Sequence, residues 1–97
     1  MKPSEALKLH RETIRSVVAR HDASNPRIFG SVSRGQDLDD SDIDLLIDPI
    51  IGKTSLLSLA RIKRDLEKSL GVRIDVQTPN SIHERFRDTV LREAVAV

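Results

Sequence analysis

The chain has 97 residues, with 16 basic and 15 acidic side chains and a formal net charge of +1. That balance gives no broad attraction to nucleic acid or to a membrane surface, and the lack of cysteine excludes disulfides, thiolate metal sites and cysteine nucleophiles. Tyr and Trp are absent and Phe occurs twice, at Phe29 and Phe86, so stacking of bases on aromatic platforms is not expected and nucleic acid is not an expected partner.

The length suits one domain over residues 1–97 with one modest core and no separate substrate domain. The N-terminal MKPSEALKLH lacks the apolar run of a signal peptide. No apolar stretch reaches membrane-spanning length, and the cysteine-free composition fits a reducing compartment. A cytoplasmic protein without a membrane partner is therefore expected.

In chain order, Ser4 to about His21 reads as one helix, with Leu7, Ile14, Val17, Val18 and His21 on one face. Asp22 to Pro26 is turn chemistry, and Arg27, Ile28 and Phe29 form a short strand that stops at Gly30. Ser31 to Gly35 reads as a helical turn, and Gln36 to Ser41 as a polar loop whose Asp37, Asp39 and Asp40 face solvent. Asp42 to Asp48 alternates as a strand, with Ile43, Leu45 and Ile47 on one side and Asp42, Asp44 and Leu46 on the other. A helix follows, capped by Thr54 or Ser55 and ended by Gly71, with Leu56, Leu59, Leu66 and Leu70 toward the core. Val72 to Gln77 is a third strand. Ser81 and Glu84 form a possible capping box for a last helix striped by Ile82, Phe86, Val90 and Ala94. The implied fold is α/β in the α+β sense: a small mixed sheet covered by helices, its second and third strands joined by a right-handed parallel crossover. Arg11, Arg15, Arg20, Arg61, Lys63 and Arg64 are expected on solvated helix faces. His10, His21 and His83 are expected on surfaces or at helix flanks, without the spacing of a zinc site.

Three carboxylates can carry chemistry. Asp42 and Asp44 lie two apart on a strand and point the same way. A parallel crossover brings Asp75 to the matching start of the next strand. Two carboxylates ~4 Å apart repel by up to about 4 kcal/mol at an effective dielectric of about 20. A hard divalent cation removes that repulsion, and Mg²⁺ prefers a few carboxylates together with water and phosphate oxygens. Two such ions ~3.5–4 Å apart can activate an attacking oxygen and steady a leaving pyrophosphate. Opposite the acids, Gly30-Ser31 ends a strand and opens a helical turn. There a glycine admits a phosphate to the backbone, the Ser31 hydroxyl can donate to it, and Arg34 adds positive charge one turn on. Lys53 and Asp48 are expected to lie outside this centre.

Gly30-Ser31, ten intervening residues and then Asp42-Ile43-Asp44 resemble the signature of the DNA polymerase beta-type nucleotidyltransferase superfamily. The run FGSVSRG followed by DSDIDLLID is similar to its minimal nucleotidyltransferase (MNT) branch, and Asp75 in RIDVQ matches the third acid. The likeness covers almost the whole chain. Ser33 stands where the family commonly has alanine. The resemblance implies a polymerase beta-like fold, with Gly30, Ser31 and Arg34 binding ATP as substrate and Asp42, Asp44 and Asp75 binding Mg²⁺. It also implies that Asp75 assists the incoming hydroxyl. It further implies an antitoxin that transfers AMP from ATP to a tyrosine of a HEPN-type RNase toxin partner (AMPylation). Two other readings stay open at this point. One is an antitoxin that neutralises its toxin by binding alone, and the other is transfer to a small-molecule hydroxyl.

Overall fold

The computed structural model describes residues 2–97. The helix expected over Ser4–His21 is two helices, α1 (Pro3–Leu9) and α2 (Arg11–Arg20). They part at His10, whose φ of −124° leaves the helical region. The His10 N–H still donates to Ala6 and Leu7 carbonyls, and its own carbonyl accepts from Ile14 N–H, so the corner leaves these groups satisfied. The apolar spacing runs straight through the break: Leu7 is buried on α1, and Ile14, Val17 and Val18 on α2.

Strand β1 (Ala23–Phe29) starts four residues earlier than the turn chemistry suggested. Asp22 and Asn25 do take turn-like positive φ, a conformation that Asp and Asn tolerate. The ladder absorbs Asn25 and Pro26 as an irregularity in register between Ser24 and Arg27. A bulge is where proline can sit inside a strand, since no ladder N–H is needed there.

A single turn, α3 (Gly30–Ser33), follows β1, and the loop leads to β2 (Ile43–Pro49). Ile43, Leu45 and Ile47 are buried in the main core, as the alternation predicts. Leu46, on the face shared with Asp44, is also fully buried, so that face is polar at its start and dry further on. Helix α4 (Leu56–Leu70) is capped by Ser55 and ended by Gly71 at φ 72°. Leu56, expected in the core, is 85% exposed. It occupies the first helical position, and burial begins one turn later with Ser58, Leu59 and Ile62.

Strand β3 (Ile74–Gln77) runs parallel to β2, and a two-residue strand β4 (Val95–Ala96), not foreseen from sequence, pairs antiparallel with β1. The sheet order is β3-β2-β1-β4, so β3 is an edge. Two α4 side chains satisfy the backbone groups of its first residue. Glu67 Oε2 accepts from Ile74 N–H at 3.0 Å, and Lys63 Nζ donates to the Ile74 carbonyl at 2.7 Å. Lys63 is therefore not a purely solvated charge. Nor is Arg15, whose guanidinium donates twice to the Val97 carbonyl beside β4.

After β3, a 3-10 turn (Pro79–Ser81) packs against β2 and leads to α5 (Glu84–Glu93). The expected Ser81–Glu84 capping box is absent. Ser81 instead closes a reciprocal pair with Thr78, and His83 Nδ1 accepts from Arg85 N–H at the start of α5. The apolar stripe of α5 is not packed away: no α5 residue is buried and Phe86 is 58% exposed. Among the described residues, no helix is long and apolar enough to cross a membrane.

Candidate active site

The ladders place the candidate residues before any side chain is considered. Phe29 pairs with Asp44 across β1 and β2, and Asp44 pairs with Asp75 across β2 and β3. Gly30 and Ser31 follow Phe29 directly, and Asp42 precedes β2 directly. The serine turn and all three acids therefore share one end of the sheet.

Gly30 shows why this turn starts with glycine. Its φ is +74°, and a Cβ built there would lie 2.2 Å from Asp44 Oδ2. The first fact makes any L side chain strained, and the second makes it collide with the central acid. Asp44 thus occupies the space that glycine leaves. Ser31 is half-buried in the turn. Arg34 ends the turn, is exposed, and donates from Nε to Gln36 Oε1 at 3.2 Å.

The acids differ in their surroundings. Asp44 is half-buried, and its carboxyl is held above its usual range. Burial is the main cause, and the charges of Asp75 and Asp42 add to it against an opposing pull from Arg34. Asp42 keeps a buried oxygen, Oδ1, that makes no hydrogen bond. Its neighbour is Arg73 Nε at 2.9 Å, an ion pair that lacks the angle of a hydrogen bond. Asp75 is exposed, and both of its oxygens accept from Gln77 Nε2 at 3.2 Å. Ser81 Oγ in turn donates to Gln77 Oε1 at 2.6 Å. The three acids line neighbouring strand positions, but among the described residues no three His, Cys, Asp or Glu side chains form a ready metal cluster.

This donor set fits a hard divalent cation. It is all carboxylate oxygen, it includes one buried oxygen without a hydrogen bond, and its central member is destabilised as an anion. Asp42 and Asp44, with Asp75 beside them, are the residues that would hold such an ion.

Several contributors escaped the sequence. Asp37, read there as solvent-facing, is buried, and its Oδ2 accepts from Ser4 N–H at 2.9 Å. It caps the first turn of α1 from within the loop that leads to Asp42, because a buried carboxylate needs donors and the turn supplies them. Asp39 and Asp40 are exposed, as expected. Arg73 and Gln77 flank Asp75 on the face that strand alternation gives them, but their contacts with Asp42 and Asp75, and that of Glu67 with Ile74, carry no motif and emerge only from the structure. Lys53 is exposed beyond the far end of β2, and Asp48 pairs with Arg27 and Asn25 away from the acids. The three histidines lie at helix ends: His10 between α1 and α2, His21 after α2, and His83 before α5.

The sheet end thus sets a Gly-Ser turn against paired strand carboxylates, and comparison with known proteins gives the family. The sequence profile of the nucleotidyltransferase domain matches residues 11–97, and the chain belongs to that family. It is 44% identical over 81 residues to “Putative protein adenylyltransferase MJ0435” of Methanocaldococcus jannaschii, covering 84% of this chain and 86% of that one. It is 40% identical over 70 residues to “Protein adenylyltransferase MntA” of Thermococcus cleftensis, covering 72% and 70%. Among solved structures it resembles one described as “Structure of putative minimal nucleotidyltransferase”, with a TM-score of 0.86, 45% identity, and coverage of 97% of this chain and 95% of the other. A “Crystal structure of the toxin-antitoxin with AMP-PNP” shares the fold, with a TM-score of 0.65 at 19% identity over 97% of this chain and 71% of that one. The minimal nucleotidyltransferase fold expected from FGSVSRG and DSDIDLLID is thus the fold found.

Proposed function

We propose that this chain transfers AMP from ATP to a hydroxyl of a partner protein, and that it acts as the antitoxin of a toxin–antitoxin pair. The observation that carries the reading is the lateral pairing of Asp44 with Asp75, with the Gly30-Ser31 turn set against Asp44. The two protein adenylyltransferases at 44% and 40% identity support AMP as the transferred group. The shared fold of the toxin–antitoxin structure is consistent with the antitoxin role. The acceptor we assign is a tyrosine of a HEPN-type RNase toxin, in a cytoplasmic setting where ATP is the donor.

The reaction assigns a task to each residue. Gly30, whose missing Cβ leaves room for Asp44, sets the turn against the acids, the Ser31 hydroxyl donates to a phosphate oxygen, and Arg34 offsets its charge. Asp42, Asp44 and Asp75 would hold Mg²⁺, for which we assign two ions, and the metal would supply charge to offset the phosphates and polarise the reacting oxygens. The acceptor oxygen forms a bond to the α-phosphorus, the bond from that phosphorus to the α,β-bridging oxygen breaks, and pyrophosphate leaves. We assign Asp75, the exposed acid, to receive the acceptor's proton. The chain contains no tyrosine, so a tyrosine acceptor must come from another molecule.

The test is incubation of the chain with Mg²⁺, ATP labelled at the α-phosphate, and a HEPN-type toxin. Label on the toxin with stoichiometric release of pyrophosphate supports the reading. Unlabelled toxin that is still neutralised, by wild type and by an Asp42→Asn/Asp44→Asn variant alike, would mean neutralisation by binding alone.

A further inference from the structure

The outward face of β3 and the residue before it carry Arg73, Asp75 and Gln77 in alternation, and the two flanking side chains each engage an acid of the site. Gln77 takes both oxygens of Asp75. Arg73 takes Asp42, and its Nη2 also donates to the Asp40 carbonyl at 3.2 Å. The Arg73 carbonyl meanwhile accepts from Ile43 N–H at 2.9 Å, which ties its backbone to the first residue of β2. The backbone of residue 73 is thus fixed beside Asp42, while its side chain is 73% exposed.

We propose that Arg73 is a standby cation: it neutralises Asp42 when no metal is bound and yields that oxygen when a divalent cation arrives. Three observations meet here. The contacted oxygen is buried and makes no hydrogen bond, so Arg73 offsets its charge without saturating it. The three acids are not gathered into a metal cluster, and Asp42 is the one held by a cation. An exposed guanidinium pair is also weak enough to be displaced, since such pairs contribute little in water. Arg73 is a positioning residue on this account. It keeps an acid-rich strand end from repelling itself during the metal-free interval and sets a threshold for loading the metal.

The inference rests on the reading of Asp42 as a metal ligand, and its test separates the two. Mn²⁺ alone, titrated by electron paramagnetic resonance and calorimetry, is the probe, because it suits the same oxygen donors. Arg73→Met removes the competing charge and should bind Mn²⁺ about two- to five-fold more tightly than wild type, the range that an exposed ion pair supports. Arg73→Lys keeps a cation and should stay near wild type. In chelator Arg73→Met should melt below wild type, and with saturating Mn²⁺ most of that gap should close. If wild type binds Mn²⁺, Asp42→Asn does not, and Arg73→Met binds no more tightly than wild type, the standby role is wrong while the metal site stands. If wild type and Asp42→Asn bind Mn²⁺ alike, the reading of Asp42 fails and this inference with it.

Discussion

Asp44 fills the space that a side chain at Gly30 would need, with its Oδ2 2.2 Å from where that Cβ would be. The turn that would hold phosphate and the acid that would hold metal are therefore built against each other. We expect a side chain added at Gly30 to displace Asp44, coupling the two halves of the site.

Gly30→Ala should break this coupling. The substitution adds left-handed strain of about 1–2 kcal/mol and a collision with Asp44, so the chain should melt lower and lose AMP transfer. Gly35→Ala is the control. Gly35 also has positive φ, but nothing lies within 4 Å of its Cβ position. It should show the strain without the loss of transfer. Thermal melts and a transfer assay on both variants check this, and equal activity of the two would contradict the coupling.

Asp44→Asn should stabilise the metal-free chain at neutral pH. The carboxyl of Asp44 is raised above its ordinary value in the folded state, first by burial and then by Asp75 and Asp42. A raised acid favours folding when protonated. That contribution is complete below the unfolded value of about 3.9 and is lost as pH rises through the folded value. The variant should therefore melt above wild type at pH 7 in chelator, with the advantage shrinking toward pH 3. Adding Mg²⁺ and ATP should reverse the order, because only wild type gains from ligand binding, by about 2.7 kcal/mol at a hundred times the dissociation constant.

Asp75→Asn should reduce turnover more than it reduces ATP affinity. Asp75 is the exposed acid at the edge, held by Gln77, whereas Asp42 and Asp44 lie deeper. Single-turnover rates against calorimetric affinities separate the effects. Asp42→Asn should harm both quantities. An Asp75→Asn variant that loses binding and turnover in equal measure would remove its assignment as proton acceptor.

Asp37→Ala should destabilise the chain by about 1 kcal/mol through loss of the α1 cap. Burial pushes the Asp37 carboxyl up, but hydrogen bonds from the Ser4 backbone and hydroxyl and from its own backbone, with the charge of Lys2, outweigh it and bring the carboxyl below its usual range. The contribution of a lowered acid is present above its unfolded value and lost as pH falls through the folded one. Wild type and variant should thus converge in acid melts at the low end, and a gap that persists there would point to packing instead of charge.

The parts of this site that could be read in advance are those set by short-range geometry. Asp42 and Asp44 are two apart on a strand, and Gly30-Ser31 ends one, so their placement follows from period and turn chemistry alone. Asp75 required only a parallel crossover. The break at His10 was hidden because Leu7, Ile14 and Val17 keep helical spacing across it. Strand β4 is two residues whose pairing with Arg27 and Ile28 is wholly tertiary. Asp37 looked like its neighbours Asp39 and Asp40, and only the distant Ser4 N–H distinguishes it. Phe86 has the spacing of a core residue and an exposed position, since a stripe specifies a face but not what covers it.

The most direct measurement is intact-protein and peptide mass spectrometry of the partner toxin after incubation with the chain, ATP and Mg²⁺. The account predicts the added mass of one AMP on a toxin tyrosine, with no addition when Asp42→Asn/Asp44→Asn replaces wild type. A toxin that keeps its unmodified mass while wild type silences it would contradict the account.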